Sequence, residues 1–152
     1  MTDTVVIQDD ELLIERILAA PRDLVFRVWT DPRHLTRWWG PKGFEPIGAE
    51  QDLREGGTYR FGMKSAEGNE VWSTGVYKEI VPNEKIVMTF RWENGAWGVD
   101  NLITVTFLEL ASGRTMMRFH QAPFATVEAR DAHTGGWTSL LDKFTAYLET
   151  VQ

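Results

Sequence analysis

Towards the C-terminus, Trp137, Leu140, Leu141, Phe144, Tyr147 and Leu148 recur at steps of three and four, with Thr138, Ser139, Asp142, Lys143, Glu149 and Thr150 falling mostly between them. That period predicts an amphipathic helix with one broad apolar face within residues 124–152. Such a helix gains little alone in water and needs a partner surface. The middle of the chain follows a different period. Residues 58–65 place Tyr59, Phe61 and Met63 on one face and Arg60 and Lys64 on the other. Residues 85–93 align Ile86, Met88, Phe90 and Trp92, residues 101–110 align Ile103, Val105 and Phe107, and residues 115–121 align Met117 and Phe119. Alternation of this kind marks half-buried strands. Further strands are expected at 12–18, 44–53 and 70–81. Gly56-Gly57, Glu67-Gly68-Asn69, Pro82-Asn83-Glu84 and Ser112-Gly113 are turn sequences, and strands joined by such short turns pair antiparallel.

Helical signals reappear after the first strand. Pro21 opens a short helix, Asp23 suits its first turn, and Leu24, Val25, Val28 and Trp29 form its apolar face. Asp31-Pro32 starts a second helix, as N-cap and first residue, which ends at Trp38-Trp39-Gly40-Pro41. The expected fold is α+β: a strand, two short helices, a run of antiparallel strands, and a long helix gripped by a curved sheet. There are no internal repeats or linkers, so residues 1–152 read as one domain, with 1–10 as a loose N-terminal arm.

This order, with Pro21-Arg22-Asp23-Leu24-Val25-Phe26 before Trp38-Trp39-Gly40-Pro41, then Gly56-Gly57-Thr58-Tyr59-Arg60-Phe61, Gly75-Val76-Tyr77-Lys78-Glu79-Ile80 and Gly135-Gly136-Trp137 with Leu140 and Leu141, resembles the Bet v 1/START-like (SRPBCC) superfamily. Within it, the chain is similar to the activator of Hsp90 ATPase homologue 1-like (AHSA1) family, over roughly residues 12–149. The resemblance implies a helix-grip fold, with a seven-stranded sheet around the last helix and a cavity between them. It implies no single function, since members are called lipid carriers, polyketide cyclases, antibiotic-sequestering proteins or co-chaperone-like proteins.

Composition narrows the partners. Seven Trp and eight Phe are a heavy aromatic load for 152 residues, and large aromatics both fill cores and line pockets for apolar ligands. A net charge of −6 disfavours nucleic acid and anionic membrane surfaces. The chain has no Cys, which removes disulfides, thiolate catalysis and Cys-ligated zinc. That fits a cytoplasmic protein. Residues 1–10 lack the basic start and apolar core of a signal peptide, and no apolar run is long enough for membrane insertion.

Catalytic and metal-binding machinery is sparse. The three His residues do not share a metal-site spacing, no G-x-S-x-G elbow or Gly-rich phosphate loop occurs, and no metal or cofactor is expected. His34 is expected on a helix surface, His120 on the outer face of the sheet, and His133 in a capping or surface role. Gly135-Gly136 suggests close packing on the sheet, a break between two helices, a bend, or a thin patch of helix beside the mouth of a cavity.

The candidate ligand-binding set is Trp38, Trp39, Phe61, Met63, Trp72, Thr74, Phe90, Trp92, Phe107, Phe119, Gln121, Phe124 and Trp137. Gln121, in phase with Met117 and Phe119, is the inward polar group expected to orient a ligand, with Glu70 and Tyr77 as secondary candidates. Trp97, in a Gly-bounded loop, is a candidate cap of the mouth. The expected function is binding of a small hydrophobic or amphipathic molecule between sheet and helix. Two other classes stay open: a chaperone-partner module, and a cyclase, lyase or hydrolase acting in the same cavity on residues the sequence does not name. Exposed strands and the Trp97 loop are candidate surfaces for a homodimer.

Overall fold

The computed structural model describes residues 8–152, so the expected N-terminal arm lies, as far as residue 7, outside the described residues. In chain order the elements are β1 (Leu12–Leu18), α1 (Arg22–Thr30), α2 (Pro32–Trp38), β2 (Phe44–Gln51), β3 (Thr58–Ser65), β4 (Glu70–Val81), β5 (Lys85–Trp92), β6 (Asp100–Leu110), β7 (Arg114–Ala122) and α3 (Val127–Thr150). The seven strands form one curled antiparallel sheet in the order β1-β7-β6-β5-β4-β3-β2. From β2 to β7 each strand pairs with its neighbour in sequence. Only β1 pairs out of order, Leu12 opposite Gln121 and Leu18 opposite Thr115. This is the helix-grip architecture expected from the sequence, and α1 and α2 carry the chain from one edge of the sheet to the other.

Local chemistry sets the helix ends. Asp31 accepts a bond from Arg33 N at 2.9 Å, with Pro32 in the first turn of α2, where its missing N–H costs nothing. Pro21 sits one position earlier than expected, as the residue preceding α1, and its carbonyl takes the Val25 N–H at 3.1 Å. Thr126 caps α3 by accepting from Ala129 N at 3.1 Å. The buried face of α3 is Ala129, His133, Trp137, Leu140, Leu141, Phe144 and Leu148. Tyr147 lies at its margin, half-buried, with its hydroxyl 2.7 Å from His34 Nδ1.

The core is aromatic at the end where α1 and α2 meet α3. Trp29 stacks on Trp38 with centroids 4.8 Å apart, and the Phe144 ring packs edge-on against both, at 5.1 and 4.8 Å. Edge-to-face pairs of this kind add about 0.5–1.5 kcal/mol beyond their buried area. Among the described residues, no buried side-chain nitrogen or oxygen lacks a hydrogen-bond partner. No helix among them is long and apolar enough to cross a membrane.

Candidate functional site

At the other end of α3 the core does not close. A cavity of about 380 Å³ lies between the first half of α3 and the sheet. That falls within the range of roughly 300–1,000 Å³ typical of small-molecule sites. Trp39 and Pro41, following α2, form one wall, with Phe44 of β2, Met63 of β3 and Val71 of β4; Trp92 of β5 and the β5–β6 loop form another. Ala132, His133, Gly136, Trp137 and Leu140 of α3 face them. Among the described residues, no Asp, Glu, Lys or Arg lines the cavity, and the polar side chains on its wall are those of Asn94 and His133, beside the indole N–H groups. The β2 side is pinned to the helix by Lys42 N donating to Ser139 Oγ at 2.6 Å and by Lys143 Nζ donating to the Phe44 carbonyl at 3.1 Å.

His133 is the titratable side chain of the wall, and its environment fixes its proton. The Trp92 indole can only donate, and its Nε1–H points to His133 Nε2 at 2.9 Å. Nε2 must therefore be the acceptor, so the proton sits on Nδ1, which lies 2.6 Å from the Ala129 carbonyl. Burial favours the same neutral form, pushing the pKa below the ordinary 6.5, partly offset by the bond to Ala129. The expected capping or surface role for His133 is thus corrected: it is buried, in phase with Trp137 and Ala129 at steps of four.

The β5–β6 loop brings Trp97 against this site. Its ring centroid lies 6.4 Å from that of His133, while the residue is 55% exposed, so it stands where the cavity meets solvent. It holds φ +61°, between Gly95 at +73° and Gly98 at +60°. A bulky residue in this left-handed region costs about 1–3 kcal/mol, and such strain clusters at functional sites.

Of the sequence-derived set, Trp39, Met63, Trp92 and Trp137 are brought together around the cavity. Trp38, Phe61, Phe90, Phe107, Phe119 and Phe124 are buried but do not line it. Trp38 donates to the Val28 carbonyl at 3.0 Å, Phe107 packs on Phe26, and Phe124 lies against His133. Phe61 and Phe119 border a separate inner void of about 20 Å³, as does Tyr77, whose hydroxyl donates to Gln51 Oε1 at 2.6 Å.

Trp72 and Thr74 lie on the opposite, outer face. Pairing sets Trp72 opposite Gly62 and Thr74 opposite Arg60, whereas Val71 faces Met63 and points inward. The Trp72 ring stacks under the Arg60 guanidinium at 3.8 Å, and its Nε1 donates to Glu70 Oε1 at 3.3 Å, so Glu70 is external too.

Gln121 is inward and fully buried, as expected, but its partners are protein groups. Its Oε1 accepts from Trp137 Nε1 at 2.7 Å and its Nε2 donates to Asn101 Oδ1 at 3.0 Å. It does not reach the cavity wall. Gly135-Gly136 neither breaks α3 nor packs tightly: a Cβ at either would meet nothing within 4 Å, and Gly136 thins the helix where it lines the cavity.

Several wall residues escape a reading of the sequence. Val71 is recoverable from strict alternation with Tyr77, and His133 from continuing the helical spacing backwards from Trp137. Asn94, Ala96 and Phe44 carry no periodic signal, because they sit in a loop or at a strand start. Solved structures share this architecture. A crystal structure of a protein from Chromobacterium violaceum is 29% identical, with TM-score 0.85, covering 93% of this chain and 99% of that one. Two others, from Nitrosomonas europaea (24%, TM-score 0.80, 95% and 97% covered) and the AHSA1 protein of Silicibacter pomeroyi (24%, 0.81, 93% and 99%), speak to the fold alone. No curated protein matches the chain. The model of the family described as Activator of Hsp90 ATPase homolog 1-like protein matches residues 19–149, nearly the whole chain, and the chain belongs to that family.

Proposed function

We propose that the protein binds a small, uncharged hydrophobic or amphipathic molecule in the cavity between the sheet and α3. The observation that carries this reading is the cavity wall itself: Trp39, Trp92, Trp97 and Trp137 surround about 380 Å³ of space, and none of the described residues that line it is ionic. An ion placed there would lose its hydration without a counter-charge, which is prohibitive; a neutral apolar molecule exchanges water for aromatic contact. Binding is favoured over catalysis by the state of His133. A general base needs a free lone pair within reach of its substrate, and the lone pair of Nε2 already takes the Trp92 N–H.

The test is native mass spectrometry of freshly purified protein, followed by titration with uncharged aromatic probes read by Trp emission. The reading expects a co-purifying small molecule or saturable one-to-one quenching that ends in the thermal unfolding transition. A native protein that binds no member of a broad panel of neutral apolar probes would refute it. Conversion of a bound probe by the native protein would move the assignment to an enzyme.

A further inference from the structure

Trp39 and Trp137 border two spaces at once, the cavity of about 380 Å³ and the inner void of about 20 Å³. Their rings meet edge to face with centroids 5.6 Å apart. We infer that this pair is a partition that sets the depth of the binding site, that Trp39 is its specificity-determining member, and that the natural ligand is a compact, neutral, planar aromatic molecule rather than a long alkyl chain. The inference rests on the ligand-binding reading above and deepens it.

The two members are held differently. Trp137 is locked through its indole N–H to Gln121 Oε1 at 2.7 Å, Gln121 is locked to Asn101 at 3.0 Å, and Asn101 Nδ2 donates to the Pro123 carbonyl at 3.2 Å. Removing Trp137 would therefore leave Gln121 Oε1 without its donor, at the head of a buried chain of polar groups, as well as open space. The Trp39 indole makes no hydrogen bond to another described residue. It is placed by packing alone, against Phe61 at 5.0 Å and Trp38 at 5.7 Å. It can be cut back without orphaning a polar group.

Behind the partition, the inner void is walled by apolar side chains, including Ile86, Met88 and Phe119. Its far side is shut by Gln51, which donates to the Thr30 carbonyl and accepts from Tyr77. At about 20 Å³ the void is too small for any ligand group larger than a water. Removing the Trp39 ring would merge it with the cavity and give an apolar channel directed into the sheet. In front of the partition, the indoles of Trp92 and Trp97 line the cavity together with Trp39 and Trp137, and a wall this rich in aromatic rings rewards flat aromatic ligands.

The experiment compares the affinities of β-naphthol and dodecanol, both neutral and hydroxylated, for the wild type, Trp39→Ala, Trp39→Leu and Trp39→Phe. Calorimetry supplies the affinities, and thermal melts identify the variants that are folded. The wild type is expected to prefer β-naphthol. Trp39→Ala or Trp39→Leu should shift the affinity ratio towards dodecanol by about ten-fold or more, the scale on which a reshaped apolar pocket discriminates. Trp39→Phe, which keeps an aromatic barrier, should leave the ratio near the wild-type value. The Leu and Phe variants carry the test if Trp39→Ala does not fold. A folded Ala or Leu variant with an unchanged ratio, in a protein that binds β-naphthol, overturns the partition while leaving the binding reading intact. A wild type that prefers dodecanol overturns the ligand class. A wild type that binds neither probe overturns the ligand class, and the broader panel of neutral apolar probes then decides the binding reading.

Discussion

The Trp92 indole N–H ends on His133 Nε2 at 2.9 Å, tying the sheet to the helix across the cavity wall. This bond exists only while His133 is neutral, because a protonated Nε2 would present a second donor to the first. The native state therefore holds the pKa of His133 below the ordinary 6.5, with burial as the main cause. An unfolded chain takes up the proton at the ordinary value, so the stability this pairing provides is complete above pH 6.5. It is lost as pH falls from there through the lower folded value, by at most about 1.4 kcal/mol per pH unit. Urea unfolding at about pH 7.5 and 5.5 checks this: the wild type should lose stability between them, and His133→Gln, which does not titrate, should lose less. Asp31, held at about 2 chiefly by its bond to Arg33, titrates well below this window. Equal losses in both proteins would mean that His133 takes up its proton in the folded protein as readily as in the unfolded chain.

Gln121 changes role between sequence and structure, and its substitution should change stability rather than binding. Gln121→Leu keeps the bulk but leaves Trp137 Nε1 and Asn101 Oδ1 without their partner in a buried site. Each orphaned group costs about 1–3 kcal/mol. The expected outcome is a clear drop in the urea midpoint with probe affinity per folded molecule nearly unchanged. Had Gln121 oriented the ligand, affinity would fall and the midpoint would hold.

The architecture is legible because two periods dominate the chain. Steps of three and four from Trp137 to Leu148 fix α3, and alternation through Ile86, Met88, Phe90 and Trp92 fixes the inner face of β5. The site is less legible because bulk and parity point different ways. Bulk alone would put Trp72 inside, yet Tyr77 and Ser73 on the same strand are the buried ones. An inward Trp72 and an inward Tyr77 would need an irregularity between them, and the irregularity in β4 lies later, between Tyr77 and Glu79. Core and cavity aromatics are alike in sequence: Phe90 and Trp92 share one face of one strand and each meets a ring of α3, Trp137 at 5.8 Å and His133 at 6.0 Å, yet Trp92 lines open space and Phe90 does not. The state of His133, unlike its place, is hidden for a chemical reason, since an isolated His gives no hint of the burial that favours its neutral form or of the indole from another element that donates to it.

The outer face offers a test of that parity. The Trp72 ring lies across Gly48 and Gly62, and a Cβ built on Gly62 would fall 2.5 Å from its ring atoms. Gly62→Ala must push the indole away from the sheet and disturb its stacking under the Arg60 guanidinium, so a loss of about 1–3 kcal/mol is expected, typical of overpacking. Trp72→Ala in the same chain removes the clash. The double variant should then be no less stable than Trp72→Ala alone, since Ala suits a strand better than Gly. Thermal melts of the four proteins close the cycle, and additive losses would mean that the ring is not on this face.

The adjacent glycines of α3 separate stability from ligand space. Both lie in a continuous helix, and a Cβ added at either would have no neighbour within 4 Å, so neither is required by packing. Replacing either by Ala removes backbone freedom from the unfolded chain and should stabilise by about 0.4–1 kcal/mol. Their surroundings differ. Gly135 faces solvent, whereas Gly136 lines the cavity beside His133 and Trp137. Gly135→Ala should therefore raise the melting temperature and leave probe affinity unchanged. Gly136→Ala should raise it similarly and weaken binding, because its methyl group occupies part of the ligand's space. A Gly136→Ala protein that is more stable and binds apolar probes as tightly as the wild type would show that bound molecules do not rest against this turn of the helix.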